Sequence, residues 1–223
     1  MEWPLSLPEL SRDALWEILL SSATFLLIFG YHLSLVKRVR QVPLQTAIGI
    51  TNHVRQQWVR SIMHNKSDLL AVQTLRNGVM ASNFLASTAI LIDLGLLSVV
   101  FKPSFFQEVS YSMSLVGTHN QALWLFKLMV LVVLFFYAFF NFTLTIRYYN
   151  HAGFMINILE AHDPTVTPEV VAEALNLGAL HYTLGMRGFY LAVPLGLWMF
   201  GPLWMFCGAV ILVLVLNKLD RTA

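Results

Sequence analysis

The sequence predicts an all-α polytopic membrane protein with four transmembrane helices and cytoplasmic helical extensions. Three observations predict it. First, 57% of the 223 residues are hydrophobic and 12% are charged, about half the charged share of a soluble domain. Second, four apolar runs, at about 14–36, 70–101, 122–146 and 188–216, reach the roughly 20 residues that cross a bilayer. Third, most Lys and Arg residues fall in the connections between those runs. A single integral membrane domain, 1–223, accounts for the chain. The net charge of +2 carries no signal for nucleic acid. Cys207, the only cysteine, cannot form an intrachain disulfide and leaves the redox compartment unread.

The opening segment, Met1 to Asp13, has Pro4 and Pro8 but no basic run. The first span is therefore expected to stay as an anchor and not to be cleaved. That span holds Glu17 near its start and His32 near its end. Glu17 reads as a surface acid that snorkels to the interface.

Loop one opens with the basic cluster Lys37, Arg38 and Arg40, and Pro43 then breaks the helix. Between Thr46 and Met63, Ile50, Val54, Trp58 and Ile62 recur at helical spacing, against Asn52, His53, Arg55, Gln56 and Arg60. This is an amphipathic helix. It lies on the inner leaflet or packs on the ends of the spans; its amide content favours packing.

Span two, beginning at Ser67, is the most informative run. Arg76, Asn83 and Ser87 fall on one helical stripe, and Ser82, Ala86, Ala89 and Asp93 on another. Small residues on a membrane helix mark close helix contact. The polar residues mark a buried packing face or the lining of a polar path. Arg76 and Asn77 stand at the inner boundary, where Arg76 needs Asp68, Glu160, Glu173 or an anion as its partner. That need makes Arg76 matter more than the solvated Arg60.

Two passages of this middle third, Asn52, Arg55, Trp58 and Val59, then AVQTLRN at 71–77 with LASTAIL at 85–91, resemble the family catalogued as domain of unknown function 599. The resemblance covers most of the chain. It implies a four-span membrane protein and no particular reaction.

The outer loop, 102–120, carries Phe105, Phe106 and Tyr111, which suit the interface. Span three holds Lys127 and Asn141, and its helix is expected to continue into the cytoplasm to about His162, ended by Asp163 and Pro164. Thr167, Pro168 and Glu169 form a helix start: a capping hydroxyl, a proline in the first turn and an acid at the positive end. That helix runs into span four. Gly178, Gly185 and Gly188 allow close approach, and Pro194, Gly196, Gly201 and Pro202 are expected to kink the span.

Lys and Arg are concentrated in loops one and three, so the positive-inside rule places both loops in the cytoplasm and both termini outside the cell (inner) membrane. Asp93 lies about 12 Å and Lys127 about 10 Å below the outer boundary at 1.5 Å per residue. An unpaired charge there costs at least about 2.5 kcal/mol, and the matching depths predict an Asp93–Lys127 ion pair.

No phosphate loop, metalloprotease motif or nucleophile elbow is present, so no enzyme is expected. The seven histidines show no pair at ligand spacing, so neither a metal nor another cofactor is expected. The expected function is a homo-oligomeric channel or transporter-like pathway for a small ion or solute. Its polar core would be Arg76, Asn77, Asn83, Ser87, Asp93, Lys127 and Asn141; its packing face would be Ser82, Ala86 and Ala89. The alternative is a non-catalytic accessory or scaffold subunit. The expected partners are the lipid bilayer, other copies of the chain and another membrane protein, but no nucleic acid.

Overall fold

Prolines and capping hydroxyls set the helix boundaries. The computed structural model describes residues 12–101, 121–158 and 164–221, without the side chains of Asp13, Asp68 and Gln121. Helix α1, Arg12–Gln41, stops before a short 3-10 turn at Pro43–Gln45. Thr46 then caps α2, Ala47–Asn65, its hydroxyl accepting from the Gly49 N–H at 3.2 Å. Lys66, at φ 52°, ends α2 in the left-handed region, and α3, Asp68–Val100, follows. Helix α4 is Gln121–Met155, α5 is Pro168–Leu197 and α6 is Pro202–Asp220. The hydroxyl of Thr167 accepts from the Val170 N–H at the start of α5, with Pro168 as its first residue. Helix α4 ends at Met155, earlier than expected, and turns through Ile156 and Asn157. Ile156, not Ile158, enters the core there. The expected stop at Asp163 lies outside the described residues.

Four helices are long and apolar enough to cross a membrane: Ala14–Gln41, Leu69–Val100, Ala122–Met155 and Pro202–Asp220. The fourth apolar run is not one kinked span. Helix α5 closes in a 3-10 turn at Trp198–Phe200, Gly201 takes φ 140° and Pro202 opens α6. That φ is open to glycine and costly for side-chain residues, so Gly201 makes a chain reversal where the sequence pattern suggests a bend. The two helices then run side by side: a Cβ on Gly208 would lie 2.7 Å from Leu197 and 3.4 Å from Pro194.

The reversal changes the placement of the chain ends. Glu17 of α1, Lys127 of α4 and Trp198 meet at one end of the bundle. Thr46 and Arg221 pair through a β-bridge at the other end. Arg12 and Arg221 therefore lie at opposite ends of the bundle. Helix α5 runs the length of the bundle between them. The neighbour order is α1–α6–α5–α4–α3, with α2 laid across one end against α5.

Helix α2 packs, as its amide content suggests, but rolled from the expected orientation. Gly49, Val59 and Ile62 are buried, while Val54 is 58% exposed. Asn52, Arg55 and Gln56 turn inward and are half-buried; His53 and Arg60 stay exposed. The roll follows from polar partners on α5, described below. Val59 and Ile62 join Leu75, Ala152, Val171 and Leu175 in one apolar cluster.

Close approach at this end depends on two glycines around Tyr149. A Cβ at Gly178 would sit 2.5 Å from the Tyr149 ring, and one at Gly78 2.7 Å from its other edge. We predict that Gly178→Ala lowers stability in detergent by about 1–3 kcal/mol through overpacking. Gly30→Ala, with nothing within 4 Å of its Cβ, should change it by less than about 0.5 kcal/mol. Equal thermal shifts for the two variants would contradict the clamp.

Candidate functional site

The polar residues of the bundle gather in separate groups. At the Trp198 end, Lys127 Nζ lies 2.6 Å from Glu17 Oε1 and donates to the Trp198 carbonyl at 3.2 Å. The Trp198 indole N–H donates to the same Glu17 oxygen at 3.0 Å, and the ammonium stands 5.2 Å from the indole centroid. Glu17 is 3% exposed and Lys127 6%. Glu17 is thus a core residue, not the snorkelling surface acid that its position suggests.

Lys127 does not pair with Asp93. The close contacts of Gly78 with Tyr149 and of Gly153 with Leu75 set the antiparallel register, which puts Asp93 opposite about Leu134, roughly two turns deeper than Lys127. Helical side chains lean toward their own N-terminus, which carries the Lys127 ammonium away from Asp93 and toward Glu17. Glu17 lies five residues into α1 and Lys127 six into α4. That equal depth is the sequence signal that identifies the true pair.

The expected polar core is divided. Arg76, Asn77, Asn83 and Ser87 are exposed on the outer face of α3, the helix at the edge of the row. Arg76 makes no ion pair with Glu173; the Asp68 side chain and Glu160 lie outside the described residues. Asp93 is fully buried. Asn141 is buried on α4, its Oδ1 accepting from His181 Nδ1–H at 2.9 Å, and its amide N–H donates to the Tyr137 carbonyl at 2.8 Å. His181 stacks on Tyr148, with centroids 5.5 Å apart. Ser82, Ala86 and Ala89 are buried as the packing face expected of them. Ala86 meets Ala138 and Phe142 of the same chain, so this face joins α3 to α4, not to a second copy.

At the α2 end lies a cavity of about 800 Å³, bounded by α2 and α5 and lined by Thr51, Asn52, Arg55, Gln56, Glu173 and Asn176 among others. A second cavity of about 420 Å³ is lined by Val54, Trp58, Leu75, Tyr149 and Leu175. Thr51 and Arg55 line both. The Arg55 guanidinium donates to Asn176 Oδ1 at 2.6 Å and to Asn52 Oδ1 at 3.0 Å. Both acceptors are neutral, and burial pushes the guanidinium below its ordinary pKa. Among the described residues Arg55 makes no ion pair.

Three carboxylates line the same cavity, Glu169, Glu173 and Asp220; Glu173 is exposed, and the other two are already engaged. Glu169 pairs with Arg60 at 3.1 Å, both exposed; its own backbone N–H and then Arg60 hold its carboxyl below the usual range. Asp220 pairs with Arg187 at 2.7 Å and accepts from the Tyr31 hydroxyl. Arg187 is 8% exposed in the middle of α5. The sequence pattern missed this group because Asp220 reaches it only through the chain reversal at Gly201. Toward the other end, Phe142 is fully buried against Gly185 and meets the rings of Tyr182 and Phe189. Among the described residues, no three His, Cys, Asp or Glu side chains come together as metal ligands.

These features define a polytopic helical membrane protein with a charged cavity at one end and a neutralised ion pair at the other. The chain belongs to the family described as "Protein of unknown function, DUF599", whose model matches residues 19–223. No curated protein and no solved structure matches it.

A double-mutant cycle tests the ion pair. Glu17→Gln and Lys127→Met should each cost about 3–5 kcal/mol, because each leaves the other charge buried and alone. The double variant should recover part of that loss. Asp93→Asn combined with Lys127→Met should be additive. Coupling of Lys127 to Asp93 in place of Glu17 would contradict the assignment.

Proposed function

We propose that the protein is a transporter-like membrane protein that binds a small amphiphilic organic anion at the α2 end, with Arg55 holding the acid group. The observation that carries this reading is the environment of Arg55. A half-buried cation with only amide acceptors retains an uncompensated charge, and a buried charge calls for an ionic partner. The planar guanidinium suits a carboxylate or phosphate. Asn52 and Asn176 orient it, and the adjoining cavity of Val54, Trp58 and Leu75 accepts an apolar stem. The packing of Phe142 on Gly185 supports a site closed toward the other end. The reading is one of binding and passage, not of catalysis.

The charge distribution supports an orientation. Lys37, Arg38, Arg40, Arg60, Lys66, Arg147, Lys218 and Arg221 belong to the α2 end, and Arg12 to the other. With Lys218 and Arg221 moved by the chain reversal, the positive-inside rule favours an α2 end in the cytoplasm more strongly than the sequence pattern alone. In this reading α5 is a fifth pass, the start of α1 is outside and Arg221 is inside the cell membrane.

The binding test uses the full chain in lipid nanodiscs, titrated with octyl phosphate and with octanoate by calorimetry. Arg55→Ala should weaken binding at least about tenfold, since losing one partner of a hydrogen-bonded charge pair costs about 2 kcal/mol or more. Arg60→Ala, at an exposed pair, should bind as the unaltered protein does. Unchanged affinity in Arg55→Ala would exclude this site.

A second reading, self-association, rests on the outer stripe of α3. Asn83 and Ser87 are exposed about halfway along a helix that the bilayer would otherwise surround. An amide both donates and accepts, so an identical stripe on a second copy is self-complementary. Asn83→Leu should shift the detergent-solubilised protein toward monomer in native mass spectrometry. Ala86→Phe should destabilise the fold with no selective effect on assembly. An oligomer that survives Asn83→Leu would contradict this contact.

A further inference from the structure

Asp93 belongs to neither of these groups. It lies within the apolar helix Leu69–Val100 with no exposed surface, and neither carboxyl oxygen has a hydrogen-bond partner. Helix α3 packs chiefly on α4. The charged and titratable groups of α4 are Lys127, Arg147, His151 and Tyr137, Tyr148 and Tyr149. Lys127 lies about two turns away and is committed to Glu17 and Trp198. Tyr137 is exposed, Arg147 and His151 are exposed at the far end, and Tyr148 and Tyr149 belong to that end too. Helix α2 touches α3 only near the α2 end, at the level of Leu75.

An ionised carboxylate with no donor, no cation and no water-facing surface carries its full desolvation cost. The neutral acid avoids most of that cost, and proton uptake is the one neutralisation that needs no second side chain. We propose that Asp93 is an intramembrane proton-binding site, occupied at neutral pH. Its ligand is the proton alone, since a metal cation would need further oxygen donors, and no such donors surround the carboxyl. The site is independent of the Arg55 cavity.

A protonated carboxyl in an apolar setting reacts with a hydrophobic carbodiimide. The acid proton passes to a reagent nitrogen, the carboxylate oxygen bonds to the central carbon, and the adduct rearranges to a stable N-acylurea. The test treats the full-length protein in nanodiscs with dicyclohexylcarbodiimide at pH about 7, followed by peptide mass spectrometry. A carboxyl at its ordinary value of about 3.9 is only about one part in a thousand protonated at that pH, so Asp93 should label up to about a thousandfold faster than a normal carboxyl. Glu17, held as an ion pair, should not label. Asp93→Asn should lose the adduct and keep its thermal stability, because a neutral amide replaces a neutral acid. An infrared carboxylic-acid band present in the unaltered protein and absent in Asp93→Asn would support the same conclusion without the reagent. No adduct and no such band, or labelling blocked by sodium at constant pH, would overturn it.

Discussion

The buried contact of Glu17, Lys127 and Trp198 is the constraint on which the arrangement depends. It joins α1, α4 and the turn after α5, three parts of the chain far apart in sequence. Each charge alone in hydrocarbon costs at least about 2.5 kcal/mol, so the membrane environment enforces the contact from both sides. The Trp198 carbonyl stands at the C-terminal end of a helix, where the macrodipole is negative and a cation is favoured. The Trp198 indole supplies an N–H to Glu17 and a face to Lys127. The ion pair is thus held by a residue whose position depends on the turn at Gly201.

That turn also shapes the far end. Once α6 reverses, Asp220 reaches Arg187 and Tyr31, and Arg221 reaches Thr46. Thr46 in turn caps α2. The α2 helix therefore starts at a point fixed by the end of α6, and its roll is set by Arg55 bonding to Asn176. Two polar contacts place α2 where an amphipathic pattern alone would let it lie on lipid. The cavity between α2 and α5 follows from this placement, because Asn52, Arg55 and Gln56 occupy the space that apolar side chains would otherwise fill.

Much of the architecture was legible in the sequence. The first three apolar runs, the break at Pro43, the cap at Thr167 and the buried stripe of Ser82, Ala86 and Ala89 each rest on local signals, and each appears in the structure. What failed was long-range. Pro194, Gly196, Gly201 and Pro202 allow either a kink or a reversal; only the positive φ of Gly201 decides, and a sequence carries no φ. Helix α5 was read as part of a longer span because Arg187, His181 and Asn176 dilute its hydropathy. Lys127 matches Glu17 in depth as well as it matches Asp93, and nothing local in the sequence says that α1, not the helix next in sequence, supplies the partner. Which polar residues of α2 turn inward is not legible locally, because the acceptor of Arg55, Asn176, lies 121 residues away.

The claim that α5 and α6 are two passes and not one decides both the topology and the position of the cavity. The most direct measurement is labelling of single cysteines by a membrane-impermeant maleimide in intact cells, after Cys207→Ser. The two sites are Arg12→Cys and Arg221→Cys, at opposite ends of the described chain. The proposed orientation predicts labelling at position 12 in intact cells and at position 221 only after permeabilisation. Equal labelling of both positions from outside would mean that the fourth apolar run crosses once, and would contradict the reversal at Gly201.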